Sequence, residues 1–546
     1  MTEFAFADLW EEVANARGDR PAQVQGSRRF SWSELDQRAD ALAAAFLASG
    51  VRLQDKVANY LYNGPEYMEA FFAALKAGLV PVNTNYRYGA EELSYLWDNA
   101  DAVAVVFDAA FTALVEAVRP HVPKVRLWVR VGGDPADCPT WAIAYDHLVS
   151  RSVDGPVRGP WGRSPDDQIF IYTGGTTGMP KGVMWRQGTL TGAPPAPGTA
   201  GPPRSLSEVA ASLPEEGPVV LPACPLMHAT GLFTALATLR QGGCLVTLDD
   251  RGFDPVELLD AVASARVVSL SIVGDVFARP IVDTLSAEPD RWDLSSLRAV
   301  FSSGVMWSEP VKQGLLEHKP SLLLFDSLGS SEALGLGHSV STGASVSATA
   351  SFRLAGKTRV IRDDGTAVVP GSGQIGMLAL SGVVPEGYYK DEAKTAATFR
   401  VIDGVRYVIP GDFARVQEDG SVCLLGRGSQ CINTGGEKVF SEEVEEVVKE
   451  RDEIVDAAVV GVPDQRWGEA VCALVEMHSG LPIDEDAVID YVKVRLAHFK
   501  APKRVLTVAS IGRSPSGKLD YVRLRADAMA RLSEVEAMPK PSSGAT

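Results

Sequence analysis

The chain has 546 residues, 46% of them hydrophobic and 22% charged, with 52 Lys and Arg against 69 Asp and Glu and a net charge of −17. That length exceeds what a single core organises, so at least two domains are expected. The negative balance offers no general attraction for nucleic acid or anionic lipid, which leaves a small molecule as the expected partner.

The N-terminal stretch "MTEFAFADLWEEVANARGDRPAQV" carries acids and lacks a basic start followed by an apolar core. No stretch of about eighteen uncharged apolar residues follows anywhere, so neither a secretion signal nor a membrane span is expected. The segment "SELDQRADALAAAFLASG" spaces Leu, Ala and Phe at helical intervals and ends in Gly; "KVANYLY" reads as a strand, "PEYMEAFFAALKAG" as a helix, "LVPVN" as extended, "AEELSYLWDNA" as a helix and "AVAVVFD" as a buried strand. Strands alternating with helices predict a parallel α/β sheet.

The rhythm continues through "VVLPACP", "CLVTLDD", "VVSLSIV" and "LRAVFSSG", interrupted at residues 191–218 by a Pro, Gly and Ser-rich segment that composition marks as a mobile surface loop. After about residue 370 the strands shorten and become punctuated by Gly. Then come an acidic helix "SEEVEEVVKERDE", strands "VDAAVVGV" and "AVCALVEM", and a helix "EDAVIDYVKVRLAHF". This change of texture places a domain boundary just after Arg427, giving residues 1–427 as a large domain, 428–535 as a small α+β lid and 536–546 as a disordered tail. Six scattered cysteines (Cys138, Cys224, Cys244, Cys423, Cys431 and Cys472) form no C-x-x-C pair, and read as reduced thiols in a cytoplasm.

Chemistry concentrates first in "IYTGGTTGMPKGVMW", residues 171–185. Successive backbone N–H groups on a Gly and Thr turn make a concave anion site, the hydroxyls add donors, and one Lys supplies a charge suited to polyphosphate. A Walker loop is excluded, because that pattern needs Gly-Lys-Ser/Thr and Lys181 stands between Pro180 and Gly182. A solvent-exposed Gly and Thr turn between strand and helix is the competing explanation, and other motifs decide between the two.

"YTGGTTGMPKG" resembles the phosphate loop of the adenylate-forming superfamily, which comprises acyl-CoA synthetases, luciferases and the adenylation domains of peptide synthetases. Further matches follow in the same order: "PLMHATGL" (225–232), "SSGVMWS" (302–308), "DSLGSSEA" (326–333), "YVIPGDFARVQEDG" (407–420), "GRGSQCINTGGEKVF" (426–440) and "RSPSGKLD" (513–520). The resemblance implies an α/β fold with a large N-terminal domain of parallel β-α sheets plus a small β-barrel-like part, and a small α+β C-terminal lid. It implies a two-step reaction: a carboxylate attacks the α-phosphate of ATP to give acyl-AMP and pyrophosphate, and the thiol of coenzyme A then displaces AMP.

Residue roles follow from the same resemblance. Thr173, Gly174, Gly175, Thr176, Thr177 and Lys181 would hold the phosphates, with Ser303, Gly304 and Ser331 also on the nucleotide, and Glu332 with Thr177 would hold Mg2+. Asp412 would accept the ribose hydroxyls and Arg427 would add a ribose or phosphate contact. Lys518 would reach the carboxylate and α-phosphate during adenylation. His228 would order the carboxylate at the mouth of an acyl pocket drawn from Met227, Val273, Phe277, Gly304 and Gly335. Gly435 and Gly436 would let the pantetheine chain pass close to backbone beside Glu437, and Gln430 occupies the hinge position. Family habit also suggests a homodimer.

Several positions depart from the family pattern. Leu328 stands where an aromatic residue often stacks on adenine, Ser331 where Thr is common, Pro410 where Thr often precedes Gly-Asp, Gln430 where Asp or Lys marks the hinge, and Asn433 where many relatives place Lys. The stretches "KGVMWRQ" and "CINTGGEKVF" resemble actinobacterial ligases for steroid side-chain and other bulky terpenoid acids, which implies a polycyclic or branched hydrophobic acid as substrate. Two alternatives stay open: a half-ligase that thioesterifies preformed acyl-AMP, and a non-catalytic protein that binds acyl nucleotides.

Overall fold

The structure, a computed structural model, describes residues 4–175, 178–192, 205–434, 437–464, 466–478, 483–514 and 517–537. Its contacts divide into two compact units. The first comprises Met1–Ser347, Ala355–Lys357 and Leu380–Val408; the second comprises Ala348–Leu354, Thr358–Ala379 and Ile409–Thr546.

The first unit contains the expected parallel α/β architecture, built twice. One sheet runs in the order Gly387–Tyr388, Gly178–Arg186, Gln168–Gly175, Val80–Asn83, Lys56–Tyr60, Ala102–Asp108, Leu127–Val131 and Ile143–Ala144. It is parallel from Gln168–Gly175 onward, and its other end is the antiparallel hairpin of the phosphate-loop strands. Apolar runs such as "AVAVVFD" suit strands covered on both faces, and Tyr60, Trp97, Phe107, Trp128 and Phe170 fill one side as a single cluster. A second sheet centres on the parallel strands Cys244–Thr247, Val219–Pro222, Ser269–Ile272, Ala299–Ser303 and Leu323–Leu328, with Gly337–Ser341 antiparallel beside the last.

Helices begin where the chemistry of their first turns allows. Trp32–Ala48 opens with Ser31 accepting from Glu34 N at 3.2 Å while Glu34 accepts from Ser31 N at 2.7 Å, a reciprocal cap worth about 1 kcal/mol. Its face of Leu35, Ala39, Leu42, Ala43 and Phe46 is buried. Pro65–Lys76 starts with Pro at its first position and ends in a fully buried Lys76, whose ammonium lies 3.1 Å from Glu11, 2.7 Å from Asp36 and 2.7 Å from Asp40. Burial alone would raise the Glu11 pKa, but Arg163 and Lys76 outweigh it and hold the carboxyl down at about 2.

The Pro-rich segment at 191–218 departs from the expected mobile loop over the part that is described, 205–218. Val209 is fully buried in the short helix Val209–Ser212, and Arg17 donates to the carbonyls of Pro214 and of Glu215, the latter at 3.1 Å. Composition suggested a free loop because the residue that tethers it lies about two hundred positions away. Residues 193–204 lie outside the described residues.

In the second unit, strands Ser351–Leu354, Val422–Arg427 and Asp412–Val416 form an antiparallel ladder that continues through Ile375–Met377. A five-stranded sheet follows: Glu437–Phe440, Cys431–Thr434, Gly468–Met477 and Ile454–Asp464, with Arg504–Val508 parallel to Gly468–Met477. Helices Ser441–Lys449 and Glu485–Arg495 contribute Val444, Val448, Val488 and Val492 to one of its two cores, and Tyr521–Ala537 contributes Leu524 and Ala528 to the other. The boundary expected after Arg427 falls inside this unit, between strand Val422–Arg427 and the turn Gly428–Gln430. The last helix takes in residues 536 and 537 of the expected tail, and residues 538–546 lie outside the described residues. All six cysteines are free thiols. No helix among the described residues is long and apolar enough to cross a membrane.

Candidate functional site

In the first unit the phosphate-loop strands face one another in antiparallel register, with Thr173 opposite Lys181 and Tyr172 opposite Gly182. A Cβ at Gly182 would lie 2.7 Å from the Tyr172 ring, so this close approach needs a glycine. Lys181 pairs with Asp391 at 2.5 Å, both side chains partly open to solvent. Asp391 sits below the usual carboxylate range because Lys181 and the backbone N–H of Lys394 donate to it. Thr176 and Thr177 lie outside the described residues, and Gly174 and Gly175 contribute strand backbone.

The turn "PLMHATG" is fixed from the neighbouring sheet by two asparagines. Asn63 donates to Cys224 O at 3.2 Å and accepts from Leu226 N at 2.7 Å. Asn83 donates to Met227 O at 2.6 Å and to Tyr172 O at 2.9 Å, and accepts from Tyr172 N at 2.6 Å. His228 forms the N-cap of helix Ala229–Arg240, half-buried, with Met227 buried beneath it. A Cβ at Gly231 would lie 2.3 Å from Pro225 O, which explains the glycine in this turn.

Glu332 lies in the loop between the antiparallel strands Leu323–Leu328 and Gly337–Ser341, and accepts a hydrogen bond from the Tyr388 hydroxyl at 2.8 Å. Trp185, at the end of the phosphate-loop hairpin, donates to Ser331 O at 2.9 Å and so ties the residue before Glu332 to the phosphate strands. Gly304 has φ +98, and a Cβ there would lie 3.8 Å from Val273 and 3.9 Å from Thr230. Two expected site motifs and the pocket residue Val273 therefore meet around one bare backbone position, with Ser303 next to it at the end of strand Ala299–Ser303. Gly335, at φ +71, faces open space. Phe277 instead packs on Phe253 at 4.7 Å within the hydrophobic core.

The second unit carries the remaining residues. Asp412 is buried opposite Arg427 across the antiparallel ladder, and Arg427 Nε donates to it at 3.1 Å. Glu442 packs over Gly426, where a Cβ would lie 3.2 Å from its carboxyl. Burial, then the charges of Glu445 and Asp412, push Glu442 up to about 8 against the pull of Arg427. Gln430 accepts from Ser441 Oγ through its carbonyl at 2.9 Å, while its side-chain oxygen is buried with no hydrogen-bond partner among the described residues.

Lys518 is exposed at the end of a tight turn: its N–H donates to Ser514 Oγ and its carbonyl accepts from Ser514 N, both at 2.9 Å. Arg513 clamps that turn, donating to Asp456 at 2.6 and 2.8 Å and to Gly517 O at 3.1 Å. Glu437 and Lys438 are exposed, and Gly435 and Gly436 lie outside the described residues.

Leu328 and Pro410, two of the departures, occupy ordinary positions: Leu328 is buried at a strand end, and Pro410 precedes the positive-φ Gly411. Motif reading missed Asn63, Asn83, Trp185, Tyr388, Asp391 and Arg513 as supports. An Asn at the end of a buried strand, as in "LVPVN", was the one local signal available.

Each unit carries donors that suit a part of a Mg·nucleotide. A carboxylate at Glu332 suits a hard cation, the ammonium of Lys181 with the hydroxyl of Thr173 suits phosphate, and the buried Asp412 suits vicinal hydroxyls. Among the described residues there is no group of three or more His, Cys, Asp or Glu that could hold a metal ion.

Comparison with known proteins agrees with this chemistry. The AMP-binding enzyme family model matches residues 10–389, and the AMP-binding enzyme C-terminal domain matches residues 443–518. The chain is 39% identical over 535 residues to a medium/long-chain-fatty-acid–CoA/3-oxocholest-4-en-26-oate–CoA ligase of Mycolicibacterium smegmatis, covering 94% of this chain and 95% of the relative. It is 38% identical to the 3-oxocholest-4-en-26-oate–CoA ligase of Rhodococcus rhodochrous, covering 94% of each. The ATP-bound crystal structure of MatB from Rhodopseudomonas palustris superposes with a TM-score of 0.77 at 25% identity, covering 95% of this chain and 98% of that one. An anthranilate CoA ligase, AuaEII, solved with anthranoyl-AMP, shares the fold with a TM-score of 0.82 at 18% identity, covering 97% and 99%.

Proposed function

Because the chain belongs to the AMP-binding enzyme family, we propose that it is an AMP-forming acyl-CoA ligase for hydrophobic carboxylic acids, with sterol side-chain and other bulky acids as its preferred class. The observation that carries this reading is the nearly full-length similarity to ligases named for fatty acids and for a cholestenoate. In the first step the carboxylate oxygen of the acid attacks the α-phosphorus of ATP, the bond to the β-phosphate bridging oxygen breaks, and pyrophosphate leaves. In the second the sulfur of coenzyme A attacks the acyl carbon and AMP leaves.

The residues divide this work. Thr173 and Lys181 orient the β- and γ-phosphates, with Thr176 and Thr177 in the same loop, and Asp412 with Arg427 holds the ribose. Glu332, oriented by Tyr388, would hold Mg2+ together with Thr177, and that ion would neutralise charge on the leaving pyrophosphate. His228 orders the attacking carboxylate, and Met227, Val273 and Gly304 line the acyl pocket. Phe277 packs on Phe253 in the core cluster that also holds Val273. Lys518 stabilises charge at the α-phosphate, presented by the turn that Arg513 clamps.

Leu328, Pro410 and Gln430 favour a second reading, in which only preformed acyl-AMP is converted. One experiment decides between them: purified protein with CoA is given either free acids plus Mg·ATP or synthetic acyl-AMP, and acyl-AMP and acyl-CoA are followed by mass spectrometry. The panel contains sterol side-chain, branched and linear acids. Acyl-CoA from free acid supports full ligation, thioester from acyl-AMP alone supports the half-ligase, and neither product from either arm would refute both.

A further inference from the structure

The strand Val80–Asn83 pairs with the phosphate strand Gln168–Gly175 in parallel register at Val82 and Phe170. One position further on, the side chain of Asn83 takes over the ladder. Its amide engages Tyr172 N at 2.6 Å and Tyr172 O at 2.9 Å, and its second N–H reaches Met227 O at 2.6 Å. The residue is 6% exposed. Only one orientation of the amide satisfies this set, because the partners comprise one N–H and two carbonyls, matching one oxygen and two hydrogens.

The two segments gripped by this amide carry different halves of the chemistry. Tyr172 directly precedes Thr173 of the phosphate loop, and Met227 directly precedes His228. We propose that Asn83 is a positioning residue that sets the distance between the phosphate-binding strand and the carboxylate-ordering turn, so that the attacking oxygen and the α-phosphorus meet in line. This rests on the roles given above to Thr173 and His228. No other residue type suits the position equally well. Asp would turn a carboxylate oxygen toward two carbonyls, Ser reaches too few partners, and Gln carries an extra methylene into a buried site.

The consequence is specific. A residue that merely stabilises the fold affects every ligand alike, whereas one that sets the spacing of two half-sites spares a ligand of either alone and slows the reaction between them. Asn83→Ala and Asn83→Ser are therefore compared with the wild type by calorimetric titration with two probes. One is ATP, which omits the carboxylate half-site. The other is an acyl-sulfamoyl adenosine, a non-hydrolysable mimic of acyl-AMP that lacks the β- and γ-phosphates and so fills the carboxylate side alone.

The expected result is at most about a threefold loss of affinity for either probe, with a loss of about a hundredfold in kcat for adenylation of free acid by ATP. Adenylation should lose kcat rather than gain KM for ATP. A loss of more than about tenfold in affinity for either probe, or an unchanged kcat, would overturn the proposal. So would failure of both variants to fold, since the amide would then serve the fold alone. If wild-type protein binds ATP but not the mimic, the ligase reading itself fails, an outcome distinct from every result with the variants.

Discussion

Replacing Glu442 by Gln exchanges a carboxyl for an amide of the same shape and removes one titration from the second unit. In the folded protein this carboxyl titrates at about 8 against an ordinary 4.5, because burial and the nearby Glu445 and Asp412 oppose its charge. At about 1.4 kcal/mol per pKa unit the difference would be worth about 5 kcal/mol, and because the side chain is only half-buried, solvent screening reduces it to about 2–3 kcal/mol. The sign follows from linkage: the folded carboxyl keeps its proton to higher pH than the unfolded one, so its contribution is complete below pH 4.5 and drains away as the pH rises to about 8.

Glu442→Gln does not titrate, so it should match the wild type near pH 4 and exceed it progressively toward pH 8, by roughly 4–10 °C in melting temperature for a unit of this size. Glu445, pushed up to about 7 mainly by burial, drains in the same direction but is present in both proteins and cancels in the comparison. Melting curves of the two proteins from pH 4.5 to 8.5 provide the assay. A constant difference across that range would refute the burial argument.

Other perturbations have equally defined outcomes. Lys518→Ala should lower adenylation about a hundredfold to a thousandfold while leaving most of the thioester step from synthetic acyl-AMP, measured by pyrophosphate release and acyl-CoA formation; equal loss of both steps would argue against its assigned role. Lys76→Met strips the half-buried carboxylate of Asp36 and the buried one of Asp40 of their common cation, and a loss of about 3–5 kcal/mol should appear in urea titration. Tyr388→Phe removes one donor from Glu332, which should raise the Mg2+ needed for half-maximal adenylation about fivefold; an unchanged Mg2+ curve would detach Tyr388 from the metal site.

Motifs made the chemistry legible, because Thr173 beside a Gly-rich turn, Glu332 after a strand and Lys518 in a Ser-Gly turn are local patterns in one stretch of chain. What holds those groups in place was not legible. Asn83 meets Met227 across a gap of 144 positions, Trp185 meets Ser331 across 146, and Arg513 meets Asp456 across 57. A polar side chain far away in sequence leaves no periodicity where it binds. The same reason hid the anchoring of the Pro-rich segment by Arg17. Phe277, which its place near a site strand assigns to the pocket wall, packs its ring on Phe253 in the core.

The ion pair between Lys181 and Asp391 bears on how the protein discriminates among anions. Asp391 already satisfies the lysine, so an incoming group must outbid a carboxylate rather than fill a vacancy. A partly exposed pair of this kind is worth at most about 1 kcal/mol, a threshold that a multiply charged polyphosphate clears more readily than a stray monovalent anion. Release strands nothing, because Asp391 also caps helix Glu392–Thr398 by accepting from Lys394 N at 2.9 Å. The acid thus works as a resident competitor, raising the valence required of any visitor to the lysine.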